Sequence, residues 1–373
     1  FIIGSAQQTG SITLATGGVL DANYNLTLLQ NAAGAGSITV AGDYTAGVLG
    51  GNNKSLTLTS GTSGIALNSA AITLGSGTFT ANGNSTLGAN LAVTATGGIN
   101  FNGKINDDAA VSDRTLTLDG GATGAISVTG NIGDSQALSG LTITNSNGAT
   151  FSGSVSAATI AITDTTAGTT VAFTGNTNAT TSMTVAAGAG VGYNVSLTGA
   201  SNTIAGATTF NNAGTVTLGD GVGPDTINFT GGVIATAPSA INLNGTVTAA
   251  GVGVITLGDA GTGVTVGGTS LVGGASTGQI TMGAATLADG VTLTVGAGAA
   301  TPISLSSVSG TALLAVSNLT IDTTGAVTVG GAVGTDIGTV TITNSGGTSF
   351  NSTVDAATIA ITDTTAGTTV AFT

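Results

Sequence analysis

The sequence predicts an all-β protein, a parallel β-helix (β-solenoid) shaped as a rod. Three observations predict it. Short segments alternate apolar residues with Thr, Ser or Ala. Gly, Asn, Asp, Ser and Ala fill the stretches between them. Both patterns recur along the whole chain at a spacing near twenty residues. Alternation with period two buries every second side chain. Gly, Asn and Asp supply turns and positive φ. A unit of this length that recurs without pause marks a solenoid, whose coils bury a face only by stacking.

Composition supports this by exclusion. Of 373 residues only 5% are charged, and sixteen acids against three bases leave −13. An average domain carries about 25% charged residues. Every acid is Asp, and His, Cys and Trp are absent. That removes imidazole relays, thiolates and the usual zinc ligands. No base follows Arg114, so no phosphate-binding surface for nucleic acid is expected. No catalytic, cofactor-binding or metal-binding residue is assigned, no cofactor is implied, and the chain reads as a non-enzyme.

A 41% hydrophobic content and a mean hydropathy of +0.49 argue against disorder. Thr, Ser, Asn, Val and Gly are mediocre or poor helix formers, and Thr and Val suit a pleated surface. No apolar run reaches the ~20 residues of a membrane helix. A transmembrane barrel needs ~10-residue strands and aromatic girdles, and aromatics are 3%. An array of β-sandwich domains is the alternative fold, but it would repeat near ~100 residues.

The strand segments read in order as SITL at 11–14, LTLT at 56–59, LTLD at 116–119, LTIT at 141–144, IAIT at 160–163, VAFT at 171–174, VSLT at 195–198, TVTL at 215–218 and ITMG at 280–283. Phenylalanine spaces them: Phe151 and Phe173 are 22 apart, Phe210 and Phe229 are 19, Phe350 and Phe372 are 22. Coils of roughly 19–23 residues fit. At about 4.8 Å per coil, some 17–19 coils would make a rod of roughly 80–90 Å. Residues 1–373 read as one continuous solenoid segment.

A longer repeat overlies the coils. Segment 141–174 matches 340–373 without a gap at 26 of 34 positions, and Ala157–Thr174 recurs unchanged as Ala356–Thr373. The module is about 200 residues. Alternation nominates Ile160, Ile162, Val171, Phe173, Ile359, Ile361, Val370 and Phe372 as inward positions. Phe173 and Phe372, lying in identical segments, should share one environment.

The phrases LTITNSNGATFSGSV (141–155), ATIAITDTTAGTTVAFTG (158–175), GYNVSLTGASNTI (192–204), TTFNNAGTVTLGDG (208–221) and DTINFTGGVIATAPSAINLNGTV (225–247) carry a resemblance. They resemble the large bacterial beta-strand-repeat exoproteins, similar to filamentous-haemagglutinin-like adhesins and autotransporter passengers. The likeness covers most of the chain after about residue 90. It implies a right-handed parallel β-helix, an extracellular or cell-surface location, and roles in adhesion, biofilm or surface filaments. It brings no catalytic residue. The resulting expectation is a stiff stalk or filament shaft. Alternatives are a self-assembling surface-layer or filament subunit and, lower, a β-helical polysaccharide-acting passenger enzyme, which would need basic residues beside clustered Asp. Partners are then other copies of the chain or its coaxial continuation, with an unidentified surface or matrix ligand. The ends, Phe1-Ile2-Ile3 and Val370-Ala371-Phe372-Thr373, read as cut from a longer chain.

Five features invite a site reading. Asp220 and Asp225, in LGDGVGPDTINF, suggest a calcium turn, but the strict nine-residue repetition of such rolls is missing. They read as turn residues, with Pro224 fixing φ. Asp107, Asp108 and Asp113 form the densest acidic patch, beside Lys104 and Arg114, and read as a solvated loop. Thr-x-Thr pairs at Thr57/Thr59, Thr115/Thr117, Thr142/Thr144, Thr215/Thr217 and Thr341/Thr343 would form an ice-binding ladder only if aligned. Uneven coil lengths argue against alignment, so they read as outward strand residues. Asn-x-Ser/Thr occurs at Asn25, Asn53, Asn84, Asn178, Asn194, Asn228, Asn244, Asn318 and Asn351, a number that chance produces in such a composition. The glycine-rich stretches 188–192 and 330–334 precede no helix and carry no nucleotide-binding meaning.

Overall fold

Alternating Leu-Thr, Ile-Thr and Val-Thr pairs make strands because the β-branched residues fit a pleat and every second side chain finds an apolar neighbour. The computed structural model describes residues 1–15, 24–45, 53–108, 111, 113–190, 192–312 and 314–373. Among them there are only strands, bends and turns, and no helix. Every strand pairing with a resolved register runs parallel. The fold is a β-solenoid of about 15 turns. No helix among the described residues is long and apolar enough to cross a membrane. The chain divides into two compact units, Phe1–Thr180 with Gly188–Tyr193, and Thr181–Ala187 with Asn194–Thr373.

In the first unit the coils supply strands to three ladders, and past Asp107 the second ladder continues only as the single bridges Ile105–Ile132 and Ile132–Val155. One ladder runs through Leu26–Leu29, Leu56–Thr59, Phe79–Asn82, Ile99–Phe101, Ile126–Val128, Ala149–Phe151 and Thr170–Phe173. A second runs through Ile12–Leu14, Ile38–Val40, Ile65–Leu67, Ser85–Leu87 and Ile105–Asp107. The third runs through Tyr44–Thr45, Ala71–Thr73, Leu91–Thr94, Thr115–Asp119, Leu138–Asn145 and Val155–Ile162. The interior is columns of equivalent residues. Leu28, Leu58, Ala81, Phe101, Val128, Phe151 and Phe173 form one of them. Its small member, Ala81, lies between Leu58 and Phe101, and the Phe101 ring meets Phe79 at 5.1 Å.

The second unit repeats the plan. Its three ladders begin at Asn194–Leu197, Ser201–Ile204 and Thr208–Thr209. They reach Val354–Ile361 and Val370–Phe372 in the last coil.

Coil length varies more than the phenylalanine spacing indicates. Leu26 pairs with Leu56, an offset of 30, whereas Phe79 pairs with Ile99, an offset of 20. In the second unit Val340 pairs with Ile359, an offset of 19, and Leu293 with Leu319, an offset of 26. The strands keep register because the corners take up the difference. Longer coils also explain why the turns number about 15 instead of the expected 17–19.

The inward assignments hold in the first copy of the module. Ile160, Ile162, Val171 and Phe173 are buried. In the second copy they do not. Phe372 is 49% exposed, Ile359 40% and Ile361 50%, and Val370 is half-buried. The expectation of one shared environment is therefore corrected. The same eighteen residues lie, in the second copy, in the last coil of this sequence, where only the preceding coil covers them. The local contact is still conserved between copies: Phe350 and Phe372 stack at 5.0 Å as Phe151 and Phe173 do at 4.9 Å.

Candidate functional site

The acidic patch is not a solvated loop throughout. Asp107 pairs with Leu87 at the end of the inward column Val40, Leu67, Leu87. It is only 4% exposed. Its carboxylate accepts the backbone N–H groups of Asp113 and Arg114, both at 2.9 Å. These two bonds tie the residues just before the strand Thr115–Asp119 to the end of the second ladder. Position parity explains the error: Ile105 and Asp107 share the inward face, and charge alone suggested solvent. Asp108 and Asp113 are exposed and both meet the Arg114 guanidinium, at 3.0 and 3.4 Å. One oxygen of each of the three carboxylates lies within 4.8 Å of the others. Two backbone donors and one guanidinium already satisfy this cluster. Lys104 lies outside it and pairs with Asp134 at 2.6 Å. That pairing, with the Asn131 amide, holds the Asp134 carboxyl at about 2.

Asp220 and Asp225 sit in a tight turn, as their sequence setting implies. Asp225 is 2% exposed and its carboxylate accepts the Asp220 N–H at 2.6 Å. The Asp220 carboxylate accepts the Val222 N–H at 2.7 Å. Burial, and then the neighbouring Asp220 carboxyl, raise Asp225 above the ordinary carboxylate range. The arrangement closes a loop by side-chain capping of backbone donors, as short Asp side chains do.

No Thr-x-Thr pair lies in register on another, but one mixed group of outward polar residues does align. On the first ladder of the first unit, Thr27, Thr57, Thr80, Asn100, Ser127 and Thr150 occupy one outward column. Two residues further on, Thr59 and Asn82 are register partners, and Asn102, Thr129 and Ser152 continue the row. Thr57/Thr59 therefore stands in a two-column array. Thr115/Thr117 and Thr142/Thr144 lie on the third ladder, where the register shifts after Leu118. Thr215/Thr217 and Thr341/Thr343 belong to the second unit, half-buried or exposed beside inward Val216 and Ile342.

Several sequon asparagines do structural work that composition did not reveal. The side-chain carbonyls of Asn25, Asn53, Asn84, Asn194 and Asn318 accept backbone N–H groups of Ser55, Ser76, Lys104, Thr215 and Thr339. Each bond joins one coil to the next, at a corner or at a strand position, and satisfies a backbone N–H there. A second unforeseen device is a buried hydroxyl staircase. Ser276 donates to the Gly253 carbonyl at 2.6 Å, Thr301 donates to the Ser276 carbonyl, and Thr323 donates to the Thr301 carbonyl at 2.5 Å.

No family model, no curated protein and no solved structure matches this chain.

Proposed function

We propose that this chain is a structural segment of an exported bacterial surface fibre or adhesin, acting as a stalk or filament shaft in adhesion and biofilm. The observation that carries this reading is the repeated closure of coil on coil. Within each unit, parallel ladders, interior columns and asparagine side chains bonded across coils tie each turn to the next. Such a chain resists bending because each turn is bonded to the next along its ladders, and repeat stability sums over neighbours. The scarcity of charge and of basic groups suits a scaffold better than a catalyst. The test is immunogold labelling and protease shaving of intact cells that make the full-length protein. Fibrous surface label, lost on shaving, is the expected result. Recovery in the cytoplasmic fraction alone overturns it.

A second reading is a self-assembling surface-layer or filament subunit. It predicts that the purified chain builds ordered filaments, visible by electron microscopy.

A further inference from the structure

The two-column array on the first ladder of the first unit differs from the other outward faces of that unit. Five successive rungs, Thr57/Thr59 to Thr150/Ser152, carry only hydroxyl and amide side chains. The pairings beneath the first column run without a register shift, although the coils differ in length; in the second column Thr59 and Asn82 are strand partners, and Asn102, Thr129 and Ser152 directly follow their strands. The third ladder, by contrast, brings Asp119 to its outer face and carries a shift after Leu118.

The chemistry of the face narrows its occupant. Rungs spaced about 4.8 Å apart, with about 6.7 Å between the columns, make a patch on the order of 150 Å². A specific protein partner covers about 800 Å² per side, so the patch is too small to be a protein interface by itself. No charged or aromatic side chain stands in either column, so it offers neither an ion pair to an anionic ligand nor a ring for a sugar to stack on. What it offers is one column of hydroxyls and amides held in ladder register, flanked by a second polar column that leaves the strands after Asn82. Two waters bonded tetrahedrally to a third at about 2.75 Å lie about 4.5 Å apart, close to the rung spacing. Side-chain bonds from Asn82 to Thr59 at 3.1 Å and from Asn102 to Asn82 at 2.7 Å hold three rungs in place.

We propose that this face binds an ordered water lattice, the surface of an ice crystal. The array orders first-layer waters at the lattice spacing, and its rigidity means that little side-chain entropy is lost on contact. This activity is additional to the scaffold role and does not depend on it.

The experiment measures ice recrystallisation and partition of the purified 373-residue chain into slowly growing ice. Three proteins are compared: the native chain, Thr80→Lys/Ser127→Lys on the array, and Thr117→Lys/Thr142→Lys on the third ladder. The two variants carry the same added charge, and circular dichroism checks the fold of each. The native chain and the third-ladder variant are expected to enter ice and keep grains small. The array variant should lose at least about tenfold in effective concentration. If the lysine pair does not fold, Thr80→Tyr alone should show the same loss. Exclusion of the native chain from ice overturns the proposal. Equal loss in both lysine variants does so too, as does adsorption to a neutral insoluble glycan with no effect on ice.

Discussion

Phe151 and Phe173 stack with ring centroids 4.9 Å apart and planes 10° from parallel, because they hold the same interior position in successive coils. Phe350 and Phe372 repeat the geometry at 5.0 Å and 6°. The first pair is sealed and the second is half open, since Phe173 is buried and Phe372 is 49% exposed. Truncation to Ala should therefore separate the two copies. Phe173→Ala should cost about 3–5 kcal/mol, the range for a buried aromatic. Phe372→Ala should cost clearly less. Urea unfolding of both variants checks this, and equal losses would contradict the burial difference.

The open last coil also bears on association. Ile359, Ile361 and Phe372 are exposed apolar residues beside a strand edge that has no partner among the described residues. Unpaired edges template further pairing. The purified chain should form end-to-end oligomers, more readily near its pI of about 4.1, where charge repulsion vanishes. Ile359→Asp/Ile361→Asp should disperse them at neutral pH. Sedimentation velocity is the measurement, and a concentration-independent monomer at both pH values would refute this.

Asp107 anchors backbone, and its replacement should show that. Asp107→Ala leaves the N–H groups of Asp113 and Arg114 without their carboxylate acceptor. The cost should be about 1–3 kcal/mol. Hydrogen exchange at residues 113 and 114 should accelerate while interior strands stay protected. Unchanged exchange at both amides would show that the anchor is unimportant.

The acid pair in the second unit predicts a pH effect of defined sign. Asp225 is raised by burial and by Asp220, so the native chain binds that proton more tightly than the unfolded chain. Stability from this group is then largest at low pH and falls as pH climbs from the unfolded value of about 3.9 through the raised native one. Asp225→Asn keeps an oxygen acceptor for the Asp220 N–H and removes the ionisation. It should flatten that part of the stability profile and be neutral or stabilising at pH 7. A steeper profile would be inconsistent with the raised carboxyl.

Asp134 behaves in the opposite way. Its hydrogen bond to Lys104, aided by Asn131, holds it at about 2, so its contribution is present above about pH 4 and disappears as pH falls through about 2. Lys104 is half exposed, so the effect on unfolding should be small, about 0–1 kcal/mol. The sharper readout is carbon NMR of the carboxyl. Lys104→Ala should move its titration up toward the ordinary Asp range.

Alternation, turn residues and the recurrence near twenty residues determined the solenoid from sequence alone, because each reports a local constraint: which side chain is buried, and where φ turns positive. The duplicated segment also made Ile160, Ile162, Val171 and Phe173 legible as interior. What the sequence did not show was set by neighbours in other coils. Coil lengths vary freely when a corner takes up the extra residues, so the Phe intervals underestimated them. Asp107 reads as a surface acid until register places it under Leu87. Thr57, Thr80, Ser127 and Thr150 lie in coils of unequal length, and only strand pairing brings them into one column. Identical eighteen-residue segments end up buried in one copy and half exposed in the other, because burial depends on which coil stacks against the segment.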